Sequence, residues 1–342
     1  MISPLDQDWP AEDLEKVEAC PYCGARERKL AYGDVQDWSF HCAPGKWNYW
    51  DCENCGSLYV DPRPSASSIG LAYAKYYTHG SDKPATFAQT MKTRLRNECL
   101  SQKLGSSIEP RLHLPKLLDR FVTRLGSQVA MPFGWMLLAS QPKGQFLDVG
   151  CGAGLTVAIA QQLGWDAMGI EIDPVAVREA QRSGLKILEG TYEHLAQYEG
   201  KFDCIMCSHV LEHVHEPLDL LVKLKVALKP GGTLLLTLPN SLSAMRYQFG
   251  ANWRGLEAPR HLSIPSEPQL MHLLVQAGFC TQLFSGINNE TAAESYRIER
   301  RALVTSRQDM ARARQLRIEQ TEAAQNNDFI KLICVINSDQ SK

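Results

Sequence analysis

The sequence predicts an α/β fold, a doubly wound and mostly parallel seven-stranded sheet, with a small module before it. From Phe146 onward, seven apolar segments alternate with stretches of helical spacing, which is typical of a parallel sheet with helices on both faces. Near the start of the chain, two matching cysteine pairs stand outside this pattern. We expect three parts: a cysteine-bearing module at 1–64, a helical linker or lid at 65–143, and the sheet domain at 144–342 with a helical insertion at about 286–327.

The composition excludes several classes of protein. With 44% hydrophobic and 22% charged residues, the 342-residue chain can bury a core and is not disordered. The net charge of −2 gives no general attraction to nucleic acid or to anionic membranes. No apolar run approaches the roughly 18 residues that a membrane helix needs, and the acidic N terminus lacks the features of a signal peptide. We therefore expect a cytoplasmic protein with no membrane partner.

The two cysteine pairs form matching Cys-x-x-Cys-Gly turns, at Cys20 and Cys23 and at Cys52 and Cys55. Each turn directs two thiolates toward one point, and four thiolates complete the tetrahedral set of a structural zinc ion. A disulfide pair or a redox-active Cys-x-x-Cys is the alternative. Cys42 lies between the turns and is either a substitute ligand or a small buried residue. The sequence predicts a zinc ribbon whose closed metal site holds structure and performs no chemistry.

The predicted linker carries a local excess of positive charge. Between residues 83 and 124, nine lysines and arginines stand against three acids. A solvated helical face accounts for this excess, and a surface that binds the RNA backbone is the alternative. Just before it, the segment from Tyr76 to His79 could close over a bound cofactor. The insertion at 286–327 has nearly balanced charges, which indicates a solvated helix or a contact in a homodimer.

The sheet domain begins at the first apolar segment, and its later strands recur at the spacing of strand–helix units. Between the first two strands, Leu155, Ala158 and Ile159 have the spacing of a helix. The seven predicted strands are Phe146–Val149, Ala167–Glu171, Lys186–Leu188, Phe202–Cys207, Thr233–Leu238, Phe279–Ser285 and Phe329–Ile336.

A glycine-rich loop follows the first strand. Its glycines allow the backbone to pass close to a ligand, and the N terminus of the following helix offers free N–H groups to an anion. A dinucleotide-binding loop would have glycine at the position of Leu155, so a dehydrogenase is disfavoured. At the end of the second strand, Glu171 can hold both hydroxyls of a ribose. The loop reads Asp148-Val-Gly150-Cys151-Gly152-Ala-Gly154.

Four segments, in order, resemble the successive motifs of class I S-adenosylmethionine-dependent methyltransferases. The resemblance covers residues 146 to about 285 and the last strand. It implies S-adenosylmethionine as the cofactor and a Rossmann-like sheet with strand order 3-2-1-4-5-7-6, in which the seventh strand is antiparallel. The segments are Phe146-Leu-Asp148-Val-Gly150-Cys-Gly152-Ala-Gly154, Gly169-Ile-Glu171-Ile-Asp173, Phe202-Asp203-Cys-Ile-Met-Cys-Ser208-His209-Val-Leu-Glu212-His213-Val and Leu228-Lys-Pro230-Gly231-Gly232-Thr.

The resemblance also implies which residues hold the cofactor. Asp148 would engage the amino group of the methionine part, and Glu171 would hold the ribose. Many family members have aspartate where Thr191 stands, so the sequence departs from the family pattern there. The other implied contacts are Gly150, Cys151, Gly152 and Gly154 beside the methionine part, Ile172, Thr191, Tyr192 and Glu193 beside the adenine, and Ser208 and His209 beside the sulfonium.

The string His209-Val-Leu-Glu212-His213 follows the fourth strand, and in a helical turn its three polar residues would share one face. It matches the inverted zinc-protease signature, which those enzymes place in a long helix outside any nucleotide-binding sheet. It also resembles a Glu-x-x-Glu-His string of ubiquinone-pathway and small-RNA 2′-O-methyltransferases, which binds a divalent ion together with a histidine after the fifth strand. Here Glu212, His213 and His261 match, and His209 replaces the first glutamate. A structural role in holding the loop backbone is the alternative.

The loop after the fifth strand contains Trp253, Arg254, Arg260 and His261, and it should face the acceptor. An aromatic loop with two arginines suits a polar small molecule, including one that carries phosphate, and solvated arginines are the alternative. Methyl transfer needs an acceptor in line with the methyl group, and an acceptor that loses a proton needs a base. Histidine, with an ordinary pKa of about 6.5, suits that role. We expect His261 as the base and His209 as the second candidate.

These observations predict an S-adenosylmethionine-dependent methyltransferase that acts on a sugar, a nucleotide-sugar or a secondary-metabolite intermediate. The acceptor class rests on the resemblance to chains that combine a zinc ribbon with this domain. An rRNA or tRNA methyltransferase that uses the basic residues 83–124 is one alternative. A non-catalytic scaffold that kept the fold is another.

Overall fold

A computed structural model describes residues 3–74, 87–114, 118, 133–284, 289–302, 304–321 and 328–336. The chain divides into two compact units. The first unit comprises residues 1–76, 208–225 and 236–342, and the second comprises residues 77–207 and 226–235. The domain boundaries expected from the sequence, at about residues 64 and 143, stay predictions.

The described residues form thirteen strands and nine α-helices. The strands are β1 (Leu14–Glu15), β2 (Arg28–Val35), β3 (Trp47–Cys52), β4 (Leu58–Val60), β5 (Arg63–Pro64), β6 (Gln145–Val149), β7 (Asp166–Glu171), β8 (Ile187–Glu189), β9 (Phe202–Ser208), β10 (Leu228–Pro239), β11 (Ser263–Ile264), β12 (Phe279–Phe284) and β13 (Phe329–Ile336). The helices are α1 (Phe87–Leu104), α2 (Trp135–Ser140), α3 (Leu155–Gln162), α4 (Pro174–Arg182), α5 (Pro217–Ala227), α6 (Ala244–Phe249), α7 (Glu267–Gln276), α8 (Asn289–Glu299) and α9 (Arg307–Thr321). Within these residues, no helix combines the length and the apolar character needed to cross a membrane.

The large sheet has seven strands in the order β12-β13-β10-β9-β6-β7-β8. Strand β6 pairs in parallel with β7 and β9, β7 pairs in parallel with β8, and β12 pairs antiparallel with β13. Counted along the chain, this is the order 6-7-5-4-1-2-3. The α/β class, the seven strands and the strand order predicted above are confirmed.

Local sequence signals explain where the helices of this fold begin. Asp173 precedes α4, its side chain accepts a hydrogen bond from the Val175 N–H, and Pro174 occupies the first helical position. Ser266 caps α7 in the same way, by accepting from the N–H of Gln269. These caps satisfy N–H groups that have no partner within the helix.

The ribbon forms a four-stranded antiparallel sheet in the order β11-β4-β3-β2. Its fourth strand, β11, lies far along the chain, and Ser263 and Ile264 pair with Tyr59 and Leu58 of β4. The sequence did not reveal this strand, since two residues are too few for an alternating pattern.

The ribbon and the chain after β10 share one hydrophobic core in the first unit. Trp47, Tyr49 and Leu58 of the ribbon belong to the same buried cluster as Trp253 and Ile264. Apolar burial of this kind is the dominant stabilising term in folding. The ribbon strands and the loop after β10 are therefore parts of one packed structure.

Two helices, α8 and α9, lie in the segment predicted to be a helical insertion. The expected solvated character is wrong for α8, because Ala292, Ala293 and Tyr296 are buried in the hydrophobic core of the first unit. The balanced charge of this segment did not mean that its side chains are exposed to solvent. The buried Arg297 pairs with Glu294 and donates hydrogen bonds to the carbonyl groups of residues 38 and 39.

Candidate functional site

The glycine loop after β6 has the backbone that its glycines predict. Gly150, Gly152 and Gly154 have φ angles of 71°, 53° and 79°, a region that favours glycine. The Gly152 N–H donates to Glu171 Oε2 at 2.7 Å, and the Asp173 N–H donates to Glu171 Oε1 at 2.9 Å. Glu171 thus joins the loop to the end of β7. A Cβ built on Gly152 meets nothing within 4 Å, so this side of the loop is open.

Two carboxyl groups, those of Asp148 and Glu171, lie beside the loop. Asp148 is buried, and burial, together with the charge of Glu171, raises its pKa to about 8. Burial likewise raises the pKa of the Cys151 thiol, with Asp148 and Glu171 adding to the effect. A cationic ligand group would relieve the repulsion between the two carboxyls. The electrostatics of the loop suit a ligand that carries positive charge.

The residues predicted to contact adenine lie near the ends of the next two strands. Ile172 follows β7 and is 68% exposed, which leaves its apolar surface available. Thr191 precedes a 3₁₀ turn and accepts a hydrogen bond from the Glu193 N–H, and Tyr192 begins that turn. The hydroxyl of Thr191 therefore caps the turn.

A second cluster of polar residues follows β9, after Ser208, in the first unit. His209 has a left-handed φ of 56°, unusual for a residue with a side chain, and its Nδ1 lies 3.1 Å from Glu212 Oε1. Glu212 is fully buried, and among the described residues its Oε2 has no hydrogen-bond partner. A 3₁₀ turn, Leu211–His213, replaces the predicted helical turn. A buried carboxylate oxygen without a partner is costly and indicates a missing cation or donor.

Two imidazoles complete this cluster. His213 Nδ1 lies 3.1 Å from the carbonyl oxygen of Arg260, and His261 Nδ1 lies 2.6 Å from that of Gly255. A carbonyl oxygen only accepts, so each Nδ1 carries the proton and donates it. The Tyr73 hydroxyl oxygen, 3.0 Å from His213 Nδ1, fits this assignment as a further acceptor. Both Nε2 atoms therefore keep their lone pairs.

Glu212, His213 and His261 form a set that fits a divalent metal ion. One ligand atom from each residue lies within 4.8 Å of the others. Burial lowers the pKa of His213, and burial with the charge of His213 lowers that of His261 to about 4, so the rings are neutral near pH 7. Burial raises the pKa of Glu212, but the His209 hydrogen bond and charge outweigh it and lower the pKa. Neutral imidazoles whose second nitrogen donates to a carbonyl, plus one carboxylate, are typical ligands of transition metals.

The two histidines expected to act as bases differ in access. His209 exposes 46% of its side chain, whereas His261 exposes 5% and its Nδ1 is tied to a backbone carbonyl. Phe329 packs edge-on against the His209 ring, with centroids 5.2 Å apart. His209 is therefore the more accessible of the two candidates.

The two loop arginines are already paired with carboxylates. Arg260 is fully buried and bonds Asp37 and Glu257, and Arg254 forms an ion pair with Glu257. The expectation that Arg260 is a solvated or acceptor-facing side chain is wrong, because its charge is neutralised inside the protein.

The four cysteines of the two turns come together as predicted. The Sγ atoms of Cys20 and Cys55 are 3.7 Å apart, and those of Cys23 and Cys52 are 3.5 Å apart. Sulfurs around a tetrahedral zinc at about 2.3 Å lie about 3.8 Å from each other. The cluster fits a zinc ribbon. Cys42 lies elsewhere, with its Sγ 3.4 Å from Asp37 Oδ2.

The basic segment at 83–124 is described only in part. Arg111 lies in the described part and pairs with Glu109 at 3.3 Å. The residues that lie outside the described part include Lys83, Lys116, Arg120, Arg124 and the segment Tyr76–His79.

A family model described as a methyltransferase domain matches residues 111–282, about half of the chain. The chain belongs to the class I S-adenosylmethionine-dependent methyltransferases. This methyltransferase is 35% identical over 185 residues to the ubiquinone biosynthesis O-methyltransferase of Dinoroseobacter shibae, covering 49% of this chain and 72% of that protein.

Two further curated relatives have the same name. The protein of Roseobacter denitrificans is 38% identical over 131 residues, covering 35% of this chain and 51% of that protein. The protein of Cereibacter sphaeroides is 37% identical over 202 residues, covering 57% and 71%. A methyltransferase structure from Archaeoglobus fulgidus aligns with a TM-score of 0.42 at 17% identity, over 64% of this chain and 91% of that one. This last likeness is too weak to add to the assignment.

Several residues around the second cluster of this methyltransferase were not found from the sequence. They are Asp37 and Tyr49 of the ribbon, Tyr73, and the carbonyl groups of Gly255 and Arg260. A backbone carbonyl is present in every residue, so its use as an acceptor has no sequence signature. The sequence string around His213 predicted the cluster. No pattern in the sequence predicted that the cluster contacts the ribbon.

Proposed function

We propose that this methyltransferase transfers a methyl group from S-adenosylmethionine to a hydroxyl of a polar small molecule, with a divalent metal ion held by Glu212, His213 and His261. The observation that carries the proposal is the buried cluster, with an unpartnered carboxylate oxygen and two imidazole Nε2 lone pairs. The name O-methyltransferase, carried by its relatives, supports oxygen as the accepting atom.

The residues of the chain divide the work between cofactor and acceptor. Asp148 would attract the amino group of the cofactor, and Glu171 would hold its ribose. A sulfonium is already a good leaving group, so alignment of the acceptor with the methyl group is the main task, and proximity can contribute several kcal/mol, about 7–11 at best. A divalent ion, when bound, lowers the pKa of a hydroxyl that coordinates it. Glu212, His213 and His261 would hold such an ion, and the proton released by the hydroxyl would pass to His209, the more accessible of the two candidate bases.

The acceptor class that we propose is a sugar, a nucleotide-sugar or a secondary-metabolite intermediate. Loop arginines do not add support for a phosphate on it, because Arg254 and Arg260 already have carboxylate partners. We also propose that the four-cysteine cluster holds a structural zinc ion, since four thiolates leave no open position for a substrate.

The test titrates Co²⁺ into the protein with its ribbon metal retained, and compares Glu212→Gln with the matched variant Glu216→Gln. Glu216 is an exposed carboxylate four residues along the same segment. We expect one additional Co²⁺ to bind in the wild type and in Glu216→Gln, and at least tenfold weaker binding in Glu212→Gln, because a charged ligand is lost. Isothermal titration calorimetry and the visible absorption of Co²⁺ measure this.

The proposal fails if the wild type takes up no additional Co²⁺, or if Glu212→Gln binds it as the wild type does. Calorimetry with S-adenosylmethionine separates an enzyme from a scaffold, since a scaffold would bind no cofactor. Steeply salt-dependent RNA binding would instead favour an RNA acceptor.

A further inference from the structure

The loop that carries His261 is fixed to the ribbon by its backbone. The Tyr49 hydroxyl donates to the carbonyl oxygen of Leu256 at 2.6 Å, and the Val60 N–H donates to that of Leu262 at 3.0 Å. Directly after Leu262, β11 pairs with β4. Both ends of the segment 256–262 are therefore held by ribbon residues.

A buried ion pair fixes the middle of the same segment. Asp37 accepts from Arg260 through both oxygens, at 2.5 and 3.1 Å, and neither side chain is exposed. Asp37 also accepts from the backbone N–H groups of Phe40, Cys42 and Ala43, which fixes its orientation. Burial raises the pKa of Asp37, but the charge and hydrogen bonds of Arg260 outweigh it and keep the carboxyl ionised.

The segment in turn orients the members of the second cluster. Its Arg260 carbonyl accepts from His213 Nδ1, and the neighbouring Gly255 carbonyl accepts from His261 Nδ1. The Leu262 N–H donates to the backbone oxygen of Glu212 at 2.8 Å. Glu212, His213 and His261 are thus each hydrogen-bonded to the segment or to the residue before it.

We propose that Asp37 and Tyr49 of the ribbon are positioning residues, which hold residues 255–262 so that His213 and His261 present their Nε2 atoms together with Glu212. The catalytic meaning of this arrangement rests on the proposed function. The hydrogen bonds behind it can be measured with no ion bound at the second cluster, so the two can be tested separately. The ribbon would thereby act on the reaction by positioning the backbone of this segment.

The test follows the imidazole N–H protons of ¹⁵N-histidine-labelled protein that keeps its ribbon metal and has no ion added to the second cluster, after assignment with His213→Ala and His261→Ala. In the wild type, both rings should show a protonated Nδ1 that exchanges slowly with solvent. Tyr49→Phe removes only the hydroxyl, which lies 2.6 Å from the carbonyl oxygen of Leu256 and 3.4 Å from that of His261. This change should speed the exchange about tenfold or mix the tautomers. Tyr32→Phe is the matched control, because the Tyr32 hydroxyl accepts from Arg246 and does not bond residues 255–262 among the contacts described. It should leave both rings unchanged.

Asp37→Asn should have the same effect on His213, through loss of the charge that holds Arg260. If that variant does not fold, Tyr49→Phe decides alone, because it keeps the packing of the ring. Unchanged exchange and tautomers in a folded Tyr49→Phe overturn the proposal, as does an equal change in Tyr32→Phe. Co²⁺ affinity about 10–100-fold weaker in Tyr49→Phe would extend the result to the proposed metal site. A wild type that binds no Co²⁺ would refute the proposed function, while the imidazole signals would still decide this inference.

Discussion

Asp148 is a carboxyl whose surroundings favour its neutral form. Burial and the nearby charge of Glu171 raise its pKa from 3.8 to about 8. Between these values, the folded chain holds a proton that the unfolded chain has released. The contribution of this group to stability therefore falls as the pH rises from about 4 to 8. The raised pKa of Asp148 lowers the stability of the fold above about pH 4, and Asp148 lies beside a loop that is open to a ligand. We therefore expect Asp148 to contribute to ligand binding.

We predict that the affinity for S-adenosylmethionine rises with pH between 6.5 and 8. In the proposed binding mode, it is the ionised form of Asp148 that attracts the cofactor amino group, and the carboxyl ionises as the pH approaches about 8. Calorimetry across this range measures the effect. Asp148→Asn should bind more weakly and lose the pH dependence. An equal slope in Asp148→Asn would show that another group titrates.

Single residues of the second cluster could be predicted from the sequence, but their hydrogen-bond partners could not. Glu212, His213 and His261 stood out as a string with a distant histidine, and the structure brings their ligand atoms within 4.8 Å. The partner of His213 is the Arg260 carbonyl, which no sequence pattern marks. Arg260 itself was misjudged, because a charged residue in a loop normally faces solvent and only its distant partner, Asp37, explains its burial.

The connection from β6 through its loop to helix α3 depends on one glycine. Gly154 precedes α3 with a φ of 79°, and a Cβ there would lie 2.6 Å from Leu185 Cδ1. Gly184 has nearly the same φ, 80°, but a Cβ there would meet nothing within 4 Å. The two positions therefore share the backbone cost and differ in the clash.

We predict that Gly154→Ala destabilises the protein more than Gly184→Ala does. The left-handed backbone should cost about 1–2 kcal/mol of unfolding free energy at either site. The contact with Leu185 should add about 1–3 kcal/mol at position 154 only. Urea denaturation followed by circular dichroism measures both variants. Equal losses would mean that Leu185 moves aside without cost.

The strands of the large sheet were predictable because each is an apolar run between helical stretches. Strand β13 was predicted with its observed bounds, Phe329–Ile336, and β6 began one residue earlier than predicted. Strand β11 was not predictable, because its two residues pair with β4 only after the intervening chain has folded. The strand order of the large sheet was predicted from the resemblance to a family. The spacing of apolar segments predicts where strands lie along the chain, but it does not predict which strands pair with each other.

The ribbon shares a hydrophobic core with the rest of the first unit, so the fold of that unit requires the ribbon. Trp47 of the ribbon and Trp253 after β10 belong to one buried cluster. Binding of a structural zinc ion is coupled to folding, because the unfolded chain has no assembled site. Loss of the metal should therefore disturb residues well beyond the four cysteines.

We predict that Cys55→Ser loses zinc and lowers the melting temperature by about 5 °C or more. Its tryptophan fluorescence should shift to longer wavelength, since buried tryptophans in the shared cluster become exposed. Cys280→Ser, at an exposed cysteine of β12, is the matched control and should keep both the metal and the melting temperature. Metal analysis and thermal denaturation measure the effect. A zinc-free Cys55→Ser with unchanged melting would show that the ribbon does not depend on the metal.

The pairing of β4 with β11 has a consequence for synthesis on the ribosome. Strand β4 emerges on the order of 200 residues before its partner, β11. During that part of synthesis, one backbone edge of the ribbon sheet is unpaired. Such an edge can capture a strand from another chain. Newly made protein is therefore open to such capture until Ile264 leaves the exit tunnel.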